Sequence, residues 1–281
     1  MILLNAVSAI LTESVGKNPL FVRNLIKEEL QNYLLHFIFT SKKYNHLIFT
    51  GGTCLRKVYG LNRLSEDLDF DYISRFNREE FARDIDHHIA TALQYTESSS
   101  RIAGNKNTVY FTFPILKQLQ QYAGGTPEDV FVRCDFSQET AGGYALEKNS
   151  ITAGTFQFLV TNYDLPTLFA NKIVAFLRRV FYKGAAQKIP FKGRDVYDLY
   201  WLLELSAKSS YELRPNPERL GALLPDLSLE HVKKELQQKI TIVDQNFLLQ
   251  DLNPLLESRK TVELFVETYV ENSAKHISFV L

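Results

Sequence analysis

The chain has 281 residues, with 32 basic against 32 acidic side chains, a 45% hydrophobic fraction and a 23% charged fraction. These values fit a globular protein of one large or two ordinary domains and exclude a disordered or fibrous chain. Zero net charge weighs against bulk, non-specific nucleic-acid binding, which shows as a basic excess, so a nucleic-acid partner would need a local patch. No apolar run reaches the roughly 20 residues needed to span a bilayer, and the apolar start has no basic n-region of the secretory type. The two cysteines, Cys54 and Cys134, lack metal-type spacing and exclude a disulfide framework. The expectation is a cytoplasmic protein.

In chain order, residues 20–39 place Leu25, Leu30, Leu34 and Phe37 at helical spacing. A short β-type run, His46–Thr50, is ended by Gly51-Gly52. A helix from Thr53 to Tyr59 follows, with Thr53 as its N-cap and Gly60 as its end signal. Asp67-Leu68-Asp69-Phe70-Asp71-Tyr72 alternates acid with apolar or aromatic residue, the period of a strand. A helix over Arg78–Tyr95 comes next, then strands over Thr108–Phe113, Val130–Phe136 and Thr155–Val160, the first two separated by a loop rich in Gly, Gln and Thr. From Leu165 the pattern is helical: Leu165–Lys183, Arg194–Leu205, Leu229–Lys239 and Thr261–Asn272. This layout predicts an α/β domain over residues 1–164 and a helical domain over 165–281.

The segment that carries chemistry is a strand, a Gly-Gly-Thr turn, a helix and a strand with alternating acids. Gly51 and Gly52 let backbone approach a phosphate closely. The helix start after them offers unpaired N–H groups and a positive dipole end to an anion, and Thr53 can add a hydroxyl. Asp67 and Asp69, two apart on a strand, point to one face and suit a hard cation such as Mg²⁺ or Mn²⁺. Asp135, in the later run Val132-Arg133-Cys134-Asp135-Phe136, is a third candidate ligand. Three such acids could hold two metals around a transferring phosphoryl group.

Phe49–Phe70, FTGGTCLRKVYGLNRLSEDLDF, resembles the signature of the AbiEii/AbiGii-type nucleotidyltransferases of the DNA polymerase beta superfamily. Arg63, Ser65, Glu66, Asp67, Asp69 and Phe70 match the narrower family's acidic block. Asn171-Lys172-Ile173 with Arg178-Arg179, and Lys192-Gly193-Arg194-Asp195-Val196-Tyr197-Asp198-Leu199, match its later basic and Arg-Asp blocks. The resemblance spans residues 49–199 in the family's order; Thr50 departs, standing where many members have a basic residue. It implies an α+β fold, a mixed nucleotidyltransferase-type sheet flanked by helices and followed by a helical domain that completes the active-site cleft. It also implies transfer of a nucleotide from an NTP to RNA, with the tRNA 3′ end as leading acceptor, by a toxin countered by an antitoxin. A small-molecule or protein acceptor, and a non-catalytic nucleotide- or RNA-binding module, are the alternatives.

From Lys172 to Arg194 the chain has seven Lys or Arg and no acid. Lys172, Arg179 and Lys183 would share one face of a continuous helix, with Lys172 aimed at a triphosphate and others, Lys192 and Arg194 among them, serving nucleotide or RNA backbone. Asp195 is read either as a base or substrate-orienting group or as an acid favouring a helix start, and Asp198 as its cleft partner or a surface acid. Arg56 is assigned equally to a phosphate or to Glu66. Asp71 is given a peripheral role. Alone, the glycines could be an ordinary turn and the acids a solvated edge strand; their order with Asp135 favours the metal reading. Phosphorylation of Thr53 would add about −2 charge where the triphosphate should lie. His46, His87, His88, His231 and His276 have no ligand or triad spacing, and Cys54 and Cys134 read as buried hydrophobes.

Overall fold

A computed structural model describes residues 2–104, 106–119, 129–179, 181–183, 187–189, 191–208 and 213–280. The chain divides into two compact units, residues 1–140 with 147–162, and residues 141–146 with 163–281. The short segment 141–146 groups with the second unit, although it precedes the border that the sequence pattern predicts.

The first unit opens with α1 (Ile2–Glu13) and α2 (Pro19–Thr40), the latter started by Pro19 and an Asn18 cap that accepts the Leu20 N–H. Then come β1 (Ile48–Thr50), α3 (Gly51–Tyr59), β2 (Asp67–Tyr72), α4 (Arg78–Thr91), β3 (Ser99–Ile102), β4 (Thr108–Phe113), α5 (Ile115–Gln118), β5 (Val130–Gln138), β6 (Leu146–Ala153) and β7 (Phe156–Tyr163). Most of the loop predicted between β4 and β5 lies outside the described residues. The strands form a seven-stranded sheet of order β3-β4-β5-β2-β1-β7-β6. It is mixed: β2 runs parallel to β5 and β1 parallel to β7, whereas β1–β2, β3–β4 and β4–β5 are antiparallel.

Strand alternation sorts the two faces of this sheet. Leu68, Phe70, Phe111, Val132, Cys134 and Phe136 are buried. They face helices: Phe39 of α2 lies 6.2 Å from Phe70, and Phe81 of α4 lies 5.0 Å from Phe136, ring centre to ring centre. The alternate residues, Asp67, Asp69, Tyr110, Thr112, Arg133 and Asp135, keep partial exposure on the other face. The core therefore fixes which way the acids point.

The second unit contains α6 (Leu165–Arg178), β8 (Phe181–Lys183), β9 (Gln187–Ile189), α7 (Gly193–Lys208), α8 (Pro217–Leu223), α9 (Leu229–Thr241), α10 (Gln245–Leu252) and α11 (Arg259–Val280). Its core is aliphatic and aromatic, with Phe169, Ile173, Leu202, Leu236, Leu248 and Val262 all buried. The helix predicted to run to Lys183 stops at Arg178, and residues 181–183 pair with 187–189 as an antiparallel hairpin. Arg179 is thus the C-cap of α6, and the basic face expected of one long helix is divided between two elements. Residues 141–146 are tied into this unit by Arg219, whose guanidinium donates to Gly142 O at 2.8 Å and to Asn171 Oδ1 at 2.8 Å.

Phe136 packs among aromatic rings of the sheet, of α4 and of the segment that leads into it, with Phe70 at 5.6 Å, Phe76 at 4.6 Å and Phe81 at 5.0 Å. Phe136→Ala is expected to destabilise the protein by about 3–5 kcal/mol through lost burial and an unfilled cavity. Urea unfolding checks this; a loss below about 1 kcal/mol would contradict the packing described.

Candidate active site

The acidic strand is built as its alternation requires. Leu68 and Phe70 are buried, and Asp67, Asp69 and Asp71 are half-buried on the opposite face. Asp69 stands opposite Thr50 of β1 on one side and Asp135 of β5 on the other. Two of the three predicted acids are thus neighbours across a strand pair, and Asp67 precedes Asp69 by one full strand repeat on the same face.

The glycine turn presses against these acids. Gly51 takes φ +76°, and a Cβ there would lie 2.1 Å from Asp69 Oδ2. Both facts demand glycine: the backbone is left-handed, and the carboxylate fills the space a side chain would need. A Cβ on Gly52 would meet the Arg63 guanidinium at 2.6 Å and the Ser65 hydroxyl at 3.1 Å. Arg63 is 2% exposed and donates to Leu64 O at 2.8 Å, and Gln31 holds Ser65 O at 3.1 Å. These residues order the loop before β2, as the sequence suggests.

Thr53 departs from its predicted place. The helix begins at Gly51, so Thr50 occupies the N-cap position, without a side-chain cap bond. Thr53 is fully buried and donates its hydroxyl to the carbonyl of Asp67. It therefore ties α3 to the acidic strand, and a kinase has no access to it in the fold.

Asp135 has partners the sequence reading did not assign. Its Oδ1 accepts from Thr108 Oγ1 at 2.5 Å and from Arg133 Nε at 3.0 Å, and its Oδ2 lies 2.8 Å from Arg133 Nη2. Arg133 stands opposite Asp67 in the β2–β5 register, and its guanidinium lies 5.9 Å from the Tyr110 ring centre. Burial would lower its pKa, but Asp135 and then Asp67 hold the guanidinium above its ordinary value. The signal was available: Arg133 and Asp135 are two apart on a strand, so they share a face. Between them Cys134 points into the core, and burial, with Asp135, Asp69 and Asp67 nearby, pushes its thiol well up, which removes it as a nucleophile.

Among the described residues no three His, Cys, Asp or Glu side chains are grouped to hold a cation as they stand. Asp67 and Asp69 place two carboxylates on one face, the donor type suited to Mg²⁺ or Mn²⁺, and both oxygens of Asp135 lie against Arg133.

Arg56 pairs with Glu28 of α2 rather than with Glu66: Nη2 donates to Oε2 at 3.0 Å, its Nε donates to Oε1, and its Nη1 donates to Arg63 O at 3.2 Å. Glu66 instead lies 3.5 Å from Lys27. Burial would raise the Glu28 carboxyl, but hydrogen bonding from Arg56 and the charges of Lys57 and Arg56 hold it below its ordinary value. Arg56 fastens α3 and the following loop to α2.

In the second unit, Lys172 of α6 pairs with Asp198 Oδ2 at 2.6 Å and lies 3.9 Å from Asp195 Oδ1; Arg179 Nε lies 3.0 Å from Asp195 Oδ2. Asp198 is 0% exposed and Asp195 3%, so neither is a surface acid. The side chains of Lys183 and Lys188 lie outside the described residues. Lys192 and Arg194 are half-exposed around the start of α7, where the Gly193 N–H donates to Asp251 Oδ2 at 2.9 Å.

Residues 32–268 match the family described as nucleotidyl transferase AbiEii toxin, type IV TA system. No protein of curated function matches the chain. Among solved structures, the chain is similar to MenT4, a nucleotidyltransferase toxin of Mycobacterium tuberculosis H37Rv. The identity there is 15% over 94% of this chain and 98% of that one, with a TM-score of 0.49. It is also similar to JHP933 from Helicobacter pylori, at 17% identity over 91% and 93% of the two chains, with a TM-score of 0.46.

Two substitutions separate chemistry from scaffold. Gly51→Ala is expected to cost about 1–2 kcal/mol of stability from the left-handed backbone. It should also lower nucleotidyl transfer by roughly a hundredfold or more, because Asp69 must move aside; near wild-type transfer would contradict the contact. Asp198→Ala leaves the Lys172 ammonium buried without its nearest partner and should cost about 3–5 kcal/mol in urea unfolding. A loss within about 0.5 kcal/mol would show that the pair is not the buried anchor described.

Proposed function

The chain belongs to the AbiEii nucleotidyltransferase toxin family, and on that premise we propose that it moves a nucleoside monophosphate from an NTP to an acceptor hydroxyl, with pyrophosphate leaving. The observation that carries this reading is the contact of Gly51 with Asp69. It supports reading the glycine turn and the acid pair as one site.

In this reading the triphosphate rests on the Gly51–Gly52 backbone and the first N–H groups of α3, where the helix dipole favours an anion. Asp67 and Asp69 hold the Mg²⁺ or Mn²⁺ ion. When bound, that ion neutralises charge on the transferring phosphoryl group and lowers the pKa of the attacking hydroxyl. The β1–β2 pairing and the Thr53 hydroxyl bond keep the acid strand in register with the turn. Preorganisation of this kind lets the site stabilise transition-state charge without reorganising. Lys172 serves a phosphate only after its 2.6 Å pair with Asp198 opens.

By resemblance the acceptor is RNA, with the tRNA 3′ end as first candidate, and the setting is the cytoplasm, where a cognate antitoxin opposes the toxin. Among the described residues no helix is long and apolar enough to cross a membrane.

Purified protein, Mg²⁺ and total tRNA incubated with each α-³²P-labelled NTP in turn test the reaction. Label is expected on tRNA with wild-type protein and is expected to be lost with Asp69→Ala of unchanged circular dichroism. Label that persists in Asp69→Ala would overturn the acid assignment. Label appearing on another RNA, a protein or a small molecule instead would overturn the tRNA acceptor and keep the chemistry.

A further inference from the structure

One rung crosses four strands of the sheet on the face that carries the acids. Asp67 of β2 stands beside Arg133 of β5, Arg133 beside Tyr110 of β4, and Tyr110 beside Arg101 of the edge strand β3. Neighbouring strands lie about 4.8 Å apart, so the rung runs roughly 14 Å from the acid to the edge. The Tyr110 ring holds both guanidiniums, with its centre 4.9 Å from that of Arg101 and 5.9 Å from that of Arg133. One strand repeat before Arg133, Phe131 stands opposite Thr112 on the same face and is 40% exposed.

The charge on this part of the face is basic. Among the described residues of β3, β4 and β5 that share it, Asp135 is the single acid, and Arg133 is paired with it. That pair takes two of the five N–H donors of the guanidinium, and Arg101 adds an exposed positive charge at the edge. Guanidiniums interleaved with aromatic rings on an open surface suit a single strand of nucleic acid, because the former meet phosphates and the latter stack on bases. An acidic peptide would use the charges and leave the exposed ring without a role.

The direction of the reaction says which strand this is. In the proposed transfer the triphosphate lies on the Gly51–Gly52 turn, which follows β1, and β1 and β5 flank β2 on opposite sides. In-line displacement puts the attacking hydroxyl opposite the leaving pyrophosphate. An acceptor therefore reaches the acids from the β5 side, across this rung.

We propose that Arg101, Arg133 and Phe131 seat the acceptor, a single-stranded 3′ end of RNA, with phosphates on the two arginines and a base stacked on the Phe131 ring. Tyr110 is the positioning residue that keeps the guanidiniums in place. The inference rests on the transfer reading above and adds the surface that presents the 3′ hydroxyl to the acids.

Fluorescence anisotropy of a 5′-labelled single-stranded oligoribonucleotide, titrated with the full chain and Mg²⁺ over a series of salt concentrations, tests it without catalysis. Arg101→Gln should weaken binding and lower the slope of log affinity against log salt by about 0.7, the share of one phosphate contact on a single strand. Arg101→Lys should keep the slope. Phe131→Leu should weaken binding by roughly fivefold or more through the lost stack, and Phe131→Tyr should restore it. NTP affinity in the same variants, read by equilibrium dialysis, should stay within about twofold, because the turn lies on the other side of β2.

Equal RNA binding by wild type, Arg101→Gln and Phe131→Leu would overturn the seat and leave the transfer reading in place. A fall in NTP affinity as large as the fall in RNA affinity would also overturn it, since the rung would then serve the nucleotide. A wild type that labels a protein or small molecule and binds no oligoribonucleotide would overturn it through the acceptor. RNA binding that follows these variants, with no transfer to any acceptor, would uphold the seat and overturn the transfer reading beneath it. Both substituted positions are exposed, and circular dichroism checks that each variant is folded.

Discussion

A carboxylate packed against a backbone carbon sets the terms for the first unit. Because β1 and β2 are antiparallel, Thr50 at the end of β1 falls opposite Asp69. The chain leaves β1 at once and turns into α3, and the Asp69 side chain fills the place a Cβ at residue 51 would need. A left-handed residue without a Cβ meets both demands. An anion laid on this turn would therefore lie beside the Asp69 carboxylate.

Charges away from that contact are fixed by partners of their own. Arg56 is locked to Glu28, Arg133 to Asp135, and Lys172 to Asp198. A buried or half-buried ion without a partner costs several kcal/mol, so the fold pairs each one. Arg56 braces α3, and Lys172 joins α6 to α7.

The alternation of Asp67, Asp69 and Asp71 with Leu68 and Phe70 gave strand and face from period alone, and Asp135 was found by the same rule. The helical second half was likewise legible from period, whereas the mixed sheet was implied by the family resemblance. Partners were not legible, because periodicity assigns a face and says nothing of what lies across from it. Glu28 is 28 residues before Arg56, and Asp198 is on a different helix from Lys172. The end of α6 was missed because residues 165–183 keep an apolar pattern without a Gly or Pro after the first turn, while Phe181-Tyr182-Lys183 takes up a hairpin instead. Edge strands β3 and β6 were missed because their exposed, polar residues carry little alternation.

A crystal of the protein grown with Mn²⁺ and a non-hydrolysable NTP analogue, measured at the manganese absorption edge, tests the central claim most directly. The account predicts an anomalous peak at bonding distance from carboxylate oxygens of Asp67 and Asp69, with the triphosphate against the Gly51–Gly52 backbone. A peak elsewhere, or a nucleotide bound away from that turn, would contradict it.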